Sequence, residues 1–446
     1  MVFSGQTFLI VGMGKTGIAT VRFLARRGGK IAATDRKDMD QAVKDLREEG
    51  VFPEMVPYDV SALEHVDMVI PSPGVPPHDP ILAEAVKKGI PVYSELEMAC
   101  RFLKTPLIAI TGTNGKTTTT TLVGNILSEA GYRVFTGGNI GNPLIEYCDM
   151  EREDDYIVAE VSSFQLQWVR DFHAHCAALL NVTCDHTDYH GSIDAYREAK
   201  ERIFLNQDRN DWAVLNAGDD RLVAFSRQLK SQPLFFCSTE AAPEQGAFLR
   251  DGHIVLTGLY GHEEIYPVDM IKIPGRHNME NVMAAVMIAR VCRCPQEKIV
   301  DAVSGFKGIG HRIEFVTEKD GVAYYDDSKG TNVDAVVRAL ESFDRPIILL
   351  MGGRDKDGNF ETLRPFIRER VKQLVLFGEA RDKIGEKIGN LVKTDVQATM
   401  AAAVLSAHKE AGPGDVVLLS PGCASFDEFT DYKNRGNVFQ DIVRRM

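Results

Sequence analysis

Short apolar runs alternate with amphipathic stretches along most of the chain. Residues 8–11, 30–34, 68–70 and 91–93 read as strands, and residues 18–27 and 80–88 between them carry apolar positions at helical spacing. Strand, helix and strand in that order predict a parallel sheet. The alternation restarts after Lys104, where Pro106 ends the preceding segment and residues 107–110 form a buried strand leading into TGTNGKTTTT and a helix over 118–130. Residues 157–161, 177–182 and 212–216 extend this second sheet, whereas residues 234–273 break into shorter strands between Gly and Pro turns. From Ile309 a third series begins, with strands at 323–326, 347–351, 373–377 and 416–420. The pattern predicts an α/β protein of three domains, residues 1–95, 96–308 and 309–446, the central one a parallel sheet with a small antiparallel sheet beside it.

Length agrees with that division, because 446 residues exceed one core and domains run to roughly 100 to 200 residues. Hydrophobic residues make up 44% and charged residues 26%, the mix of a folded chain. A net charge of −12 argues against a sequence-independent grip on nucleic acid, which needs a basic face. It does not exclude an anionic substrate, since remote charges are screened beyond about 8 Å. No apolar stretch approaches the roughly 18 to 20 residues that span a bilayer, and the N-terminus enters a strand without a basic leader, so a cytoplasmic protein is expected. The eight cysteines lack CxxC or zinc spacing and read as reduced thiols.

Three places carry candidate chemistry. In the segment around residues 111–118, Gly112 and Gly115 let backbone N–H groups converge on phosphate, Lys116 offsets charge near the β and γ groups, and Thr117 can hold Mg²⁺. Ile110 stands where the usual pattern has its first glycine. The strand ending at Glu160 places a carboxylate where a nucleotide-binding sheet commonly keeps a metal-associated acid, and His186 follows another strand toward the same edge. Lys200 lies one turn after Tyr196 on the apolar face of its helix. Snorkelling is one reading of it. Burial is the other, which would leave a neutral amine able to take up carbon dioxide as a carbamate, an oxygen ligand for Mg²⁺. At the N-terminus, Gly12, Gly14 and Gly17 follow a strand, open a helix and precede Asp35, the geometry of a diphosphate-and-ribose site. A nicotinamide-dependent oxidoreductase and a UDP-linked substrate both fit it.

Five collinear segments favour the UDP-linked substrate: TGTNGKTT (111–118), PGRHNMENVMAA (274–285), GIGHRIEFV (308–316), DDSKGTN (326–332) and LLSPGCASFDEFTDYKNRG (418–436). Together they resemble the Mur ligases of peptidoglycan synthesis, and the last is similar to the D-glutamate-adding members. The resemblance implies a Rossmann-like N-terminal domain for a UDP moiety, a central P-loop ATPase domain and a Rossmann-like C-terminal domain that receives the amino acid. It implies ATP and Mg²⁺ as cofactors, UDP-N-acetylmuramoyl-L-alanine and D-glutamate as substrates, and a monomer. The shorter glycine spacing at Ile110 belongs to the family. By the same resemblance Gly112, Thr113, Asn114, Gly115, Lys116, Thr117, Thr118, Asn278, Asn281, Arg312 and Asp327 would bind ATP. Thr16, Asp35, Arg36, Ser72, Gly74, Asn139 and Asn142 would hold the UDP part, and Lys329, Thr331, Lys356, Ser425 and Phe426 the D-glutamate. Lys116, Glu160, His186 and Lys200 would be catalytic, and Thr117, Glu160, His186 and carbamylated Lys200 would hold the metal. Another Mur-type ligase or a folylpolyglutamate-type ligase is the nearest alternative, because the central ATPase is shared.

Overall fold

The structure is a computed structural model that describes residues 3–183, 185–238, 243–355 and 358–446. Contacts divide it into two compact units, Met1–Met270 with Glu280–Val303, and Ile271–Met279 with Ser304–Met446. None of the described helices is long and apolar enough to cross a membrane.

The first unit holds two sheets. β1 (Thr7–Val11), β2 (Lys30–Thr34), β3 (Glu54–Met55) and β4 (Met68–Pro71) form a parallel sheet in the order β3-β2-β1-β4. Residues 91–93 are not one of its strands. They touch it through a single bridge between Val69 and Val92, because Pro91 has no N–H for a ladder.

The second sheet comprises β5 (Leu107–Thr111), β6 (Val134–Gly138), β7 (Tyr156–Glu160), β8 (Cys176–Leu179), β9 (Trp212–Asn216), β10 (Gln232–Cys237), β11 (Gly246–Arg250), β12 (His253–Thr257) and β13 (Glu264–Pro267). Its order is β13-β12-β11-β10-β9-β8-β5-β7-β6. The strands from β6 to β11 run parallel, and β12 and β13 add antiparallel pairs at the edge. The antiparallel strands therefore extend the central sheet instead of forming a separate one. β8 is also shorter than residues 177–182 suggest, since the chain leaves the ladder after Leu179 to reach the phosphate loop.

Every residue of β5 is buried, as a central parallel strand covered on both faces requires. Each fully buried Leu or Ile there contributes about 1.5–3 kcal/mol of transfer free energy. β7 pairs with β5 on one side, Ile110 opposite Glu160, and with β6 on the other, Gly138 opposite Glu160. That register brings the phosphate loop, Glu160 and the turn after β6 to one edge of the sheet.

The other unit carries β14 (Glu314–Lys319), β15 (Val322–Asp326), β16 (Ile347–Gly352), β17 (Val371–Phe377), β18 (Lys393–Val396) and β19 (Val416–Gly422) in the order β14-β15-β19-β16-β17-β18. Only the β14–β15 pair in it is antiparallel among the described strands. Apolar clusters lie on both faces, one under helix Val333–Glu341 and one under helices Met400–Glu410 and Tyr432–Arg445.

Candidate active site

Past β5 the chain turns through Gly112–Gly115 into helix Lys116–Glu129. Gly115 caps that helix at φ +83°, a conformation that favours glycine, and a Cβ there would lie 2.1 Å from Asn281 Oδ1. Asn181 pins the turn: its Oδ1 accepts from Asn114 N at 2.8 Å, its Nδ2 donates to Asn114 O at 3.1 Å, and its carbonyl accepts from Thr113 N at 3.0 Å. Lys116 folds back so that Nζ donates to Gly112 O at 2.8 Å and Thr113 O at 2.9 Å. Ile110 lies inside β5, fully buried, so the turn starts only after Thr111.

Lys200 reaches the same carbonyl. It is 1% exposed, and its Nζ donates to Gly112 O at 2.8 Å while lying 4.6 Å from the centre of the Tyr196 ring. Burial, followed by the nearby charge of Lys116, holds its pKa well below the ordinary lysine value. Snorkelling is thereby excluded, because this lysine does not reach water. Tyr196 OH and Thr113 Oγ1 are 3.2 Å apart, which joins the lysine's helix to the loop.

Glu160 ends β7 at the same edge of the sheet. Its carbonyl accepts from Asn139 N at 2.8 Å and its Oε1 from Asn139 Nδ2 at 2.8 Å. Its Oε2 is buried with no hydrogen-bond partner among the described residues. An orphaned carboxylate oxygen is costly unless a cation meets it. The Thr117 hydroxyl at the start of the helix is a second oxygen donor at this edge of the sheet, and oxygen donors suit a hard divalent cation. His186 sits at φ 52° in the segment before helix Thr187–His190, its ring edge-on to Phe164 at 4.8 Å. Among the described residues, the one group of three or more His, Cys, Asp and Glu side chains with ligand atoms within 4.8 Å is His311, Glu314 and Asp326, so Glu160 and His186 are not gathered into such a triad. The His311 cluster is internally satisfied: His311 Nδ1 and Asp326 Oδ2 are 2.7 Å apart, and Gln440 Nε2 donates to Asp326 Oδ2 and Glu314 Oε2, both at 2.9 Å.

At the N-terminal glycine turn, Gly12 has φ +92° and accepts from Ser72 Oγ at 2.6 Å. A Cβ on Gly17 would lie 2.0 Å from Gly12 O, so the helix can begin this close to the strand only with glycine there. Asp35 Oδ2 accepts from Met13 N at 2.6 Å, and Arg36 is 66% exposed with its guanidinium on Asp79 Oδ2 at 2.8 Å. Thr16 O accepts from Thr20 Oγ1 at 2.9 Å, and the space around Gly74 is open. Asn142 Oδ1 and Gly141 O both accept from Lys15 Nζ.

In the other unit Asp327 is buried, its Oδ2 accepts from Ser420 Oγ at 2.7 Å, and desolvation pushes its pKa up to about 7. Burial and the charges of Arg338 and Arg312 push His277 down to about 4. Asn278 is buried with its Nδ2 on Pro274 O at 2.6 Å. Lys329 lies 5.2 Å from the Tyr432 ring centre, and its carbonyl accepts from Thr331 N at 2.9 Å. Ser425 is buried and Phe426 exposed. Lys356 and Cys184 fall outside the described residues, and the other seven cysteines are free thiols.

Two residues escaped the sequence reading. Arg435, fully buried, donates to Ser328 Oγ at 2.9 Å, Ser328 O at 2.8 Å and Cys423 O at 3.1 Å, and so ties the loop after β15 to the loop after β19. It stands inside a motif already singled out, but no local pattern marks it as buried. Lys15 is the other, between Gly14 and Gly17 of the N-terminal glycine turn.

Residues 6–94 match the Mur ligase MurD-like N-terminal domain, 110–289 the Mur ligase middle domain, and 311–423 the Mur ligase glutamate ligase domain. A relative from Syntrophus aciditrophicus (strain SB), named UDP-N-acetylmuramoylalanine–D-glutamate ligase, is 54% identical over 100% of this chain and 99% of its own. A protein of the same name from Geobacter metallireducens is 43% identical over 100% and 99%. Among solved structures, a pseudomurein peptide ligase type C from Methanothermus fervidus shares the fold, with TM-score 0.62 and 17% identity over 99% of this chain and 100% of that one.

Proposed function

The chain belongs to the Mur ligase family, and from that premise we propose that it is the ATP-dependent ligase that joins D-glutamate to UDP-N-acetylmuramoyl-L-alanine in peptidoglycan precursor synthesis. The observation that carries the reading is the convergence of Lys116 and Lys200 on one carbonyl of a glycine-shaped phosphate loop, on the same sheet edge as the open carboxylate oxygen of Glu160. Relatives bearing that ligase name over their full length supply the substrate assignment.

In this reading Gly112, Thr113, Asn114, Gly115, Thr117 and Thr118 cradle the ATP phosphates, with Lys116 offsetting charge on the β and γ groups. Asn278, Asn281 and Asp327 take the nucleoside, and Arg312 the γ-phosphate. Thr117, Glu160, His186 and Lys200 as a carbamate would hold Mg²⁺, which when bound neutralises charge on the phosphoryl group in transfer. Burial lowers the Lys200 pKa and so favours the neutral amine, which in this reading attacks carbon dioxide, forms an N–C bond and releases a proton. The γ-phosphoryl passes to an oxygen of the L-alanine carboxylate, giving an acyl phosphate and ADP. The deprotonated amine of D-glutamate then attacks the acyl carbon, and phosphate leaves as the amide forms.

Thr16, Asp35, Arg36, Ser72, Gly74, Asn139 and Asn142 hold the UDP part in this proposal, and Lys329, Thr331, Lys356, Ser425 and Phe426 the D-glutamate. Domains at 1–95, 96–308 and 309–446, a monomeric state and a cytoplasmic location belong to the same reading. The test is phosphate release with ATP, UDP-N-acetylmuramoyl-L-alanine and, in turn, D-glutamate, L-lysine and diaminopimelate. Turnover with D-glutamate and its loss in a folded Lys116→Ala variant are expected. Turnover only with lysine or diaminopimelate would replace this assignment by another member of the family.

A further inference from the structure

Lys15 opens helix Lys15–Arg26 behind Gly14, an N-cap without a side chain. Its ammonium donates to Gly141 O at 2.6 Å and to Asn142 Oδ1 at 3.1 Å, both in the turn that follows β6. Glycine shapes that turn. Gly138 has φ +96°, a Cβ on it would lie 2.5 Å from Glu160 O, and its N–H donates to Asn142 O at 2.8 Å. The other end of the turn is Asn139, held to Glu160 by backbone and side chain. Lys15 thus links the glycine turn of the first sheet to the segment that grips Glu160 in the second.

Both of its acceptors are neutral. An ammonium has three donors and a full charge; two donors are spent on a carbonyl and an amide oxygen, and among the described residues no carboxylate pairs with it. The glycine turn beside it has the geometry of a diphosphate site, where a lysine acts as a point charge.

We propose that Lys15 binds the diphosphate of the UDP-linked substrate and, through Gly141 and Asn142, holds the turn after β6 in place beside it. The inference rests on the ligase reading and adds to it a residue that couples substrate binding to the Glu160 side of the site. No covalent step is involved.

The experiment compares the full-length wild type with Lys15→Met and Lys15→Arg, titrated with UDP and with uridine. Lys15→Met should lose about three- to tenfold in UDP affinity, the range for one charge-assisted contact from an exposed lysine. Uridine affinity should not change, and Lys15→Arg should recover most of the loss. The KM for the UDP-linked substrate should rise by the same factor while that for ATP stays constant. Unchanged UDP affinity in Lys15→Met overturns the proposal, as does an equal loss for UDP and uridine, which would make Lys15 a structural tether. A wild-type chain that binds neither compound overturns the ligase reading and the inference with it, and is recognised by being independent of residue 15.

Discussion

Replacing Lys200 by methionine isolates the consequence of burying an amine. In the folded chain, desolvation and the charge of Lys116 hold its pKa well below the ordinary value of about 10.4, to which it returns on unfolding. Between the two values the unfolded chain binds one proton more than the folded chain. Unfolding free energy therefore rises with pH across that window, by about 1.4 kcal/mol per pH unit. Below the folded pKa the whole penalty is present, and above the unfolded pKa it has gone. Methionine keeps the unbranched shape and carries no proton, so subtracting the variant's curve removes every other titrating group. As pH rises toward the unfolded value, the wild type should gain stability relative to Lys200→Met, at up to about 1.4 kcal/mol per pH unit. Urea unfolding in buffer free of carbon dioxide measures this. Trp168 and Trp212 both lie in the unit that contains Lys200, so their fluorescence reports the relevant transition. Parallel curves would refute the reasoning, because they would mean that the folded chain lets this amine titrate as it does in water.

Two other substitutions follow from the packing. Gly115→Ala puts a Cβ 2.1 Å from Asn281 Oδ1 at a positive φ, so the KM for ATP should rise at least about tenfold while circular dichroism stays unchanged. Glu97 is fully buried and accepts from the amides of Arg170, Asp171 and Phe172 at 2.9–3.0 Å and from Arg101 Nε at 3.0 Å. Glu97→Ala leaves those donors without an acceptor and should cost about 3–5 kcal/mol in urea unfolding, independently of any ligand.

What could be read in the sequence follows burial and period. β5, β9 and β16 are short apolar runs on both faces of a sheet, and each stands within one residue of its reading from sequence. β14 and β18 are edge strands of mixed exposure and offer no clear alternation, while β3 is two exposed residues that pair only because β2 is already in place. The continuity of β11–β13 with the central sheet is a tertiary fact, since turns between short strands look alike whether they start a new sheet or extend an old one. A lysine on an apolar helical face left snorkelling and burial both open for Lys200, and only the tertiary packing decides for burial. The grip of Asn139 on Glu160 and the reach of Lys15 to Gly141 join residues far apart in the chain, and no local spacing announces them.

In the proposed reaction the phosphate loop around Lys116 delivers the γ-phosphoryl group to a substrate carboxylate. This is tested by turning over UDP-N-acetylmuramoyl-L-alanine labelled with ¹⁸O in the alanine carboxylate, with ATP and D-glutamate, and weighing the released phosphate by mass spectrometry. One labelled oxygen is expected in each phosphate, carried over through the acyl phosphate; unlabelled phosphate formed in step with the amide would show that no acyl phosphate forms.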